Sequence, residues 1–346
     1  MSLASSAVVC ILPPVFDEPF PSLRGVRVLI TGATGFIGQW VVHALQAQHA
    51  DVAIVARNVE RLESVAGFSP TSVQVLSADL AVPGQLTLAL QSWSPAVVFH
   101  LAGYGVSKSE RDSVLMQRMN TDVLFELVDG LAQISTPLWH GQRLVHAGSA
   151  FEYGSTMPLD EAAVAAPLTP YGYSKLAGTQ LLLREARARG LAAVVGRLFT
   201  VFGPGERAGR LFPTLLAAMS SQEEIALSSG TQTRDFTLVW DVASALVELA
   251  RLPAQVSIEG RAPLDVGIVN VASGRLHSVR AFVEAAATAF GISHNRLCFG
   301  QIAQMAEDVA MLPVPVGRLQ SAIKTEVSGN LEEMFARLRS WQMQSE

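Results

Sequence analysis

Apolar residues gather along the chain in short runs separated by longer, mixed segments. The runs stand at 26–30 (VRVLI), 51–56 (DVAIVA), 73–76 (VQVL), 96–102 (AVVFHLA), 143–148 (RLVHAG) and 192–198 (AAVVGRL). Their near-continuous hydrophobicity marks strands buried on both faces. The intervening segments are long enough for helices, and 38–49 (GQWVVHALQAQH) repeats its apolar positions at helical spacing. Strands alternating with helices build βαβ units. The chain therefore reads as α/β, with a doubly wound parallel sheet of the Rossmann type over 25–203. A glycine- and proline-rich break, FGPGERAG (202–209), ends that pattern. From 204 to 346 short helical segments mix with isolated strands such as IVNVA (268–272). This smaller, mixed α/β part is expected to bind substrate, with about 236–275 packing back on the sheet. Residues 1–24 read as a loose extension.

Composition narrows the picture. With 346 residues, 49% hydrophobic and 16% charged, the chain has the makings of a well-buried globular protein. A net charge of −5 without a basic cluster argues against nucleic acid or an anionic membrane as partner. No uninterrupted apolar run approaches the ~20 residues of a membrane span. The apolar stretch 3–15 lacks a basic start and is broken by Pro13 and Pro14, unlike a signal peptide. Cys10 and Cys298 stand far apart in no ligand spacing, which suits a reducing cytoplasm and gives no metal site. The seven histidines show no metal spacing either, and His100 and His146 lie at strand-like core positions.

TGATGFIG (31–38) follows the first strand and opens the first helix, with Gly32, Gly35 and Gly38 in G-x-x-G-x-x-G spacing around Phe36 and Ile37. A tight turn without Cβ atoms, at a helix N-terminus, is what a dinucleotide pyrophosphate requires. The second strand ends in Ala56 and Arg57. An arginine there can pair a 2′-phosphate, so NADP(H) is favoured and NAD(H) stays open; Arg57 as an ordinary surface residue is the alternative. Asp79, with Leu80 beside it, follows the third strand, where a carboxylate can accept from an adenine amino group.

YGYSK (171–175) sets two tyrosines against one of only three lysines. Tyr171 and Lys175 are four apart and share a helix face, whereas Tyr173 has Ala177 at the same offset. A phenol with a pKa near ~10 is a poor base at neutral pH, and a nearby ammonium favours its phenolate. Ser149 ends a buried strand, where open α/β sheets bind ligands, and its hydroxyl is placed to hold a substrate oxygen.

With these features the chain resembles the extended short-chain dehydrogenase/reductases, within them the NAD(P)-dependent nucleotide-sugar epimerase/dehydratase/reductase group. The resemblance runs from Val26 to about residue 340. Besides the glycine turn it rests on FHLAG (99–103), NTDV (120–123), GSAFEYG (148–154), PYGYSK (170–175), GRLFTVFGPGE (196–206), GTQTRDFTLVWDVA (230–243) and NVASGR (270–275). It implies that Tyr171 is the acid/base, that Lys175 lowers its pKa and binds the nicotinamide ribose, and that Ser149 orients the reacting oxygen. It also implies that Leu101, Ala102 and Gly103 line the cofactor and that Arg234 reaches the diphosphate of a nucleotide sugar. Arg234 paired with Asp235 is the plainer alternative. Arg207 and Arg210 are further anion-binding candidates. Thr200 stands where the family usually has an asparagine, so the sugar and nucleotide contacts of that loop stay open. A homodimer through helices near 110–130 and 171–189 is also implied.

In the family's 4,6-dehydratases an Asp-Glu pair follows the serine position; here Ala150 and Phe151 stand there, and Glu152 comes one position late. Water elimination thus lacks its acid and base. Two reactions remain for a nucleotide-sugar substrate: reduction of a 4-keto-6-deoxyhexose, which Arg57 and GSAFEYG favour, and NAD-dependent 4-epimerisation. A non-catalytic NADP-sensing protein is the reading from another class, which the intact Ser149, Tyr171 and Lys175 oppose.

Overall fold

The computed structural model describes residues 20–57, 73–107, 109–136, 138–154, 158–254, 267–303 and 311–345. Most of the expected N-terminal extension lies outside them. Seven strands form one parallel sheet: β1 (Arg27–Thr31), β2 (Asp51–Ala56), β3 (Gln74–Ser77), β4 (Val97–His100), β5 (Leu144–Ser149), β6 (Ala193–Leu198) and, from far along the chain, a strand at Ile268–Val271. Between them run α1 (Phe36–Ala47), α2 (Gln85–Trp93), α3 (Ser113–Gln117), α4 (Val123–Ala132) and α5 (Pro170–Ala188). A single π-helical turn, Arg118–Asp122, joins α3 to α4.

Strand alternation divides the core into two layers. Val28 and Ile30 of β1 face Val41, Val42 and Leu45 of α1 on one side of the sheet. Leu29 points the other way, into a layer with Leu86 and Leu90 of α2, Leu127 and Leu131 of α4 and Leu182 of α5. The expected continuous apolar runs are thus strands covered on both faces. At roughly 1.5–3 kcal/mol for each large side chain buried, these two layers are the main source of stability.

The strand order is β3-β2-β1-β4-β5-β6, followed by the 268–271 strand. The chain winds outward from β1 to β3, then returns to place β4 on the other side of β1. The switch in direction opens a crevice at the carboxyl ends of β1 and β4, where ligands of such sheets bind.

Beyond β6 come β7 (Thr200–Phe202), α6 (Leu211–Ala218), β8 (Ile225–Leu227), β9 (Thr233–Arg234), β10 (Phe236–Leu238) and α7 (Val239–Ala250). The 268–271 strand is β11 and pairs Val269 with Gly196 of β6. After it lie β12 (His277–Ser278), α8 (Val279–Phe290), β13 (Leu297–Phe299), α9 (Gly317–Ala322) and α10 (Leu331–Ser345). An aromatic core binds this part together: Phe202 and Phe335 surround Phe282, whose ring stacks on Phe236 with centroids 4.1 Å apart. Among the described residues no helix is long and apolar enough to cross a membrane.

Candidate active site

The glycine turn leaves β1 at the switch point. Gly32 has φ +75°, which disfavours side chains, and a Cβ there would sit 2.5 Å from Ala102 N. The turn therefore lies directly against the loop after β4, formed by Leu101, Ala102 and Gly103. Gly35 is the N-cap of α1 and supplies no side-chain cap, and no acidic residue occupies the first turn, which holds Phe36, Ile37 and Gly38. Backbone N–H groups at this end are thus available to an anion, and the residues fit a dinucleotide pyrophosphate.

Arg57 is exposed immediately after β2. Asp79 follows β3, where its Oδ1 accepts from Ala81 N at 2.9 Å. Leu80 is buried beside it.

Two more elements, β5 and α5, carry the remaining candidate groups, and the π-helical turn supports them. Ser149 is the last residue of β5, 7% exposed. Thr169 caps α5 by accepting from Gly172 N at 3.0 Å, which starts the helix just before Tyr171. Gly178 lets α5 press onto the π-helical turn, because a Cβ there would be 2.0 Å from Asn120 O. Asn120 is fully buried. Its Nδ2 donates to Tyr104 O at 2.7 Å and to Ser174 Oγ at 2.9 Å, and its Oδ1 accepts from Tyr104 N. The loop after β4 is thereby tied to α5.

Tyr171 is half-buried, and the Ser149 side chain lies near enough to its phenol to favour the phenolate. Phe151 packs edge-on against its ring, 5.8 Å between centroids, and is 59% exposed. Lys175, one turn further along, is 3% exposed. Its ammonium donates to Ala147 O at 2.8 Å and to His146 Nε2 at 3.1 Å. Accepting at Nε2 leaves the imidazole proton on Nδ1, which faces His100 O at 3.3 Å. The His100 ring stacks on His146, and its Nδ1 lies 2.6 Å from Thr31 Oγ1.

The electrostatics differ from the expectation that Lys175 lowers the Tyr171 pKa. The lysine faces β5 rather than the phenol. Burial pushes the Tyr171 pKa up to about 12; the nearby Ser149 side chain pulls it down, and the charges of Glu152 and Glu110 add to the rise. Burial brings Lys175 itself down to about 8, against the charge of Glu152. The phenol keeps its proton at neutral pH in this arrangement.

The substrate candidates spread around the mouth. Thr200 begins β7, whose partner β10 pairs Phe236 with it, so Arg234 lies two residues from that register position. Arg234 Nη1 donates to Thr233 O at 2.7 Å, and the Asp235 carboxylate accepts from Ser273 and Gly274. Arg207 is exposed and 3.6 Å from Glu110, whose charge also reaches Tyr171. Arg210 pairs outward with Glu206 at 3.1 Å.

A model of the NAD dependent epimerase/dehydratase family matches residues 28–267. The chain belongs to that family. The dTDP-6-deoxy-L-talose 4-dehydrogenase (NAD(P)(+)) of Kitasatospora kifunensis is 29% identical over 278 residues, covering 76% of this chain and 79% of the relative. The UDP-glucose 4-epimerase of Azospirillum brasilense is 29% identical over 243 residues, covering 64% and 67%. Among solved structures, MoeE5 in complex with UDP-glucuronic acid and NAD is 31% identical, with a TM-score of 0.72 over 92% of this chain and 100% of that one. The family's members are enzymes, and this member keeps a serine, a tyrosine and a lysine at the carboxyl end of its sheet.

Those three are marked in the sequence by spacing and strand position, whereas Asn120, His146, Glu152 and Arg197 join the site only in the fold. Two signals were present. SAFE (149–152) has the S-x-x-E spacing of a capping box. Arg197 is a lone charge inside an apolar strand, which implies a buried partner.

Proposed function

We propose that the chain is an NAD(P)-dependent oxidoreductase acting at C4 of a nucleotide-linked 6-deoxyhexose, in the direction of 4-keto reduction. The observation that carries this reading is a Tyr171 phenol that burial keeps protonated near the Ser149 side chain, on the helix whose Lys175 ammonium donates to Ala147 O. Tyr171 holds a proton at Oη and gives it to the oxygen that develops charge at C4; Ser149 orients that oxygen. Lys175 places a positive charge one helical turn away. Ala150 and Phe151 carry no titratable group, so nothing there supports water elimination.

The turn at Gly32, Gly35 and Gly38 would hold the pyrophosphate, and Asp79 and Leu80 the adenine. Arg57 would meet the adenosine ribose, and Leu101, Ala102, Gly103 and Lys175 the nicotinamide end. Bound there, NAD(P) supplies the hydride chemistry. Arg57 favours NADP(H), and Arg234, Arg207, Arg210 and Thr200 are assigned to the nucleotide diphosphate side. The Kitasatospora kifunensis relative, a 4-dehydrogenase of a dTDP-6-deoxy sugar, supports the C4 assignment. The Azospirillum brasilense relative favours the second reading, a 4-epimerase.

Acid release of bound cofactor with mass spectrometry, followed by 340 nm kinetics on 4-keto-6-deoxy nucleotide sugars, separates the two. The reductase consumes one NADPH for each keto-sugar. Tightly retained NAD⁺, with two C4 epimers interconverting and no net absorbance change, contradicts it in favour of the epimerase.

A further inference from the structure

Behind Ser149 lies a buried ionic network with no part in the chemistry just described. Glu152 is fully buried and its Oε1 accepts from Ser149 N at 2.8 Å, while Ser149 Oγ accepts from Phe151 N at 3.2 Å, a reciprocal capping box. Glu152 Oε2 accepts from Arg197 Nε at 3.0 Å, and the Arg197 side chain is 2% exposed. The Arg197 guanidinium lies 4.2 Å over the Tyr153 ring. Tyr153 in turn donates to Asn270 Oδ1 of β11 at 2.7 Å. Space for the carboxylate comes from Gly148, where a Cβ would be 2.9 Å from Glu152 Oε1.

A buried ion pair is a poor device for stability alone, because desolvating both charges offsets their attraction. Arg197 Nη1 sharpens the point, since it is buried with no hydrogen-bond partner among the described residues. A capping box on a three-residue 3-10 turn does not need a guanidinium clamp. What the clamp does accomplish, by holding Oε2, is to fix the carboxylate whose other oxygen, Oε1, holds the Ser149 backbone.

We infer that Glu152, clamped by Arg197, is a positioning residue for Ser149 and sets a fixed negative charge behind the Tyr171–Lys175 pair. The inference rests on the proposed roles of Ser149 and Tyr171. The groups facing this charge are few. Tyr171 faces Glu152 and Glu110; Lys175 faces Glu152, His146 and, one ring further, His100. Arg197 faces Glu152 and Tyr153, with Glu161 acting on the same phenol. Of these, only Glu152 acts on both Tyr171 and Lys175, disfavouring the phenolate and favouring the ammonium. Both effects keep protons on the two groups that reduction requires to be protonated.

The test uses Glu152→Gln and a double variant, Glu152→Gln with Arg197→Met, which removes both charges and leaves a carbonyl for Ser149 N. The lysines number three, so ¹³C NMR titration of labelled lysine resolves Lys175 against Lys108 and Lys324 without any substrate. The expected result in both variants is a Lys175 midpoint lower by about half a pH unit, a ~3-fold change in its acid constant, with the other two lysines unmoved. In Glu152→Gln kcat falls about 10- to 100-fold with KM within about 3-fold, as a loosened Ser149 predicts. The double variant recovers part of kcat, because without Arg197 to hold the amide oxygen of residue 152 that oxygen is free to accept from Ser149 N. An unmoved Lys175 midpoint together with wild-type kcat in either folded variant overturns the inference. If instead Tyr171→Phe turns over normally, the functional reading fails, and the Lys175 titration still judges the Glu152 charge by itself.

Discussion

His100 and His146 show how far burial reshapes single residues here. Burial, with the Lys175 charge adding to it, lowers the His100 pKa to about 3, and the same causes hold His146 well below 6.5. In the unfolded chain both imidazoles take a proton near the usual value, so between roughly pH 6.5 and the folded values the unfolded state binds more protons. Stability is then complete above pH 6.5 and is lost as pH falls, by up to about 1.4 kcal/mol per pH unit for each histidine. Thermal unfolding of the wild type and of His100→Asn at pH 7 and pH 4.5 checks the sign: the variant loses less on acidification. Equal losses would show that His100 is not held neutral. At this scale the candidates were legible in two ways, Tyr171 and Lys175 through their i,i+4 spacing on one helix face and Ser149 through its place at the end of a buried strand. The sequence did not disclose where the lysine ammonium points. That is decided by His146 Nε2 and Ala147 O on another element, 28–29 positions away.

The elements of the first half were legible because each is a local pattern. DVAIVA is β2 residue for residue, and the other five runs are strands within a residue or two of their expected limits, β4 differing most because it stops at His100. The π-helical turn at Arg118–Asp122 was not legible, since one extra residue in a helical ladder leaves no periodic trace. Its consequence lies in packing: it presents Asn120 O to Gly178 and so sets the distance of α5 from the loop after β4. Gly178→Ala forces a methyl into a 2.0 Å gap from that oxygen. The expected cost is about 1–3 kcal/mol of stability. Because α5 carries both Tyr171 and Lys175, a shift near 1 Å lowers kcat about 100-fold. Denaturant midpoints and steady-state kinetics on the same preparation measure both. A Gly178→Ala variant with wild-type stability and kcat would show that the close approach is not needed.

Over the whole molecule, the site exists only where distant segments meet: the glycine turn after β1, the loop after β4, Ser149 from β5 and the helix of Tyr171. The parallel order and the switch between β1 and β4 bring them to one edge. The second half was harder to read because its strands are short and paired across long separations; β11 gains its place from β6, more than seventy positions earlier. The account's central claim is that these segments together make a redox site for a nucleotide-linked sugar with Tyr171 as its acid. Its most direct measurement is single-turnover absorbance at 340 nm, with protein and NADPH mixed with 4-keto-6-deoxy UDP- and dTDP-hexoses, for the wild type and Tyr171→Phe side by side. Rapid NADPH oxidation by the wild type is expected, with a rate lower by about 10²–10⁴-fold in Tyr171→Phe and NADPH affinity within about 3-fold between them. Equal rates in the two proteins would contradict it.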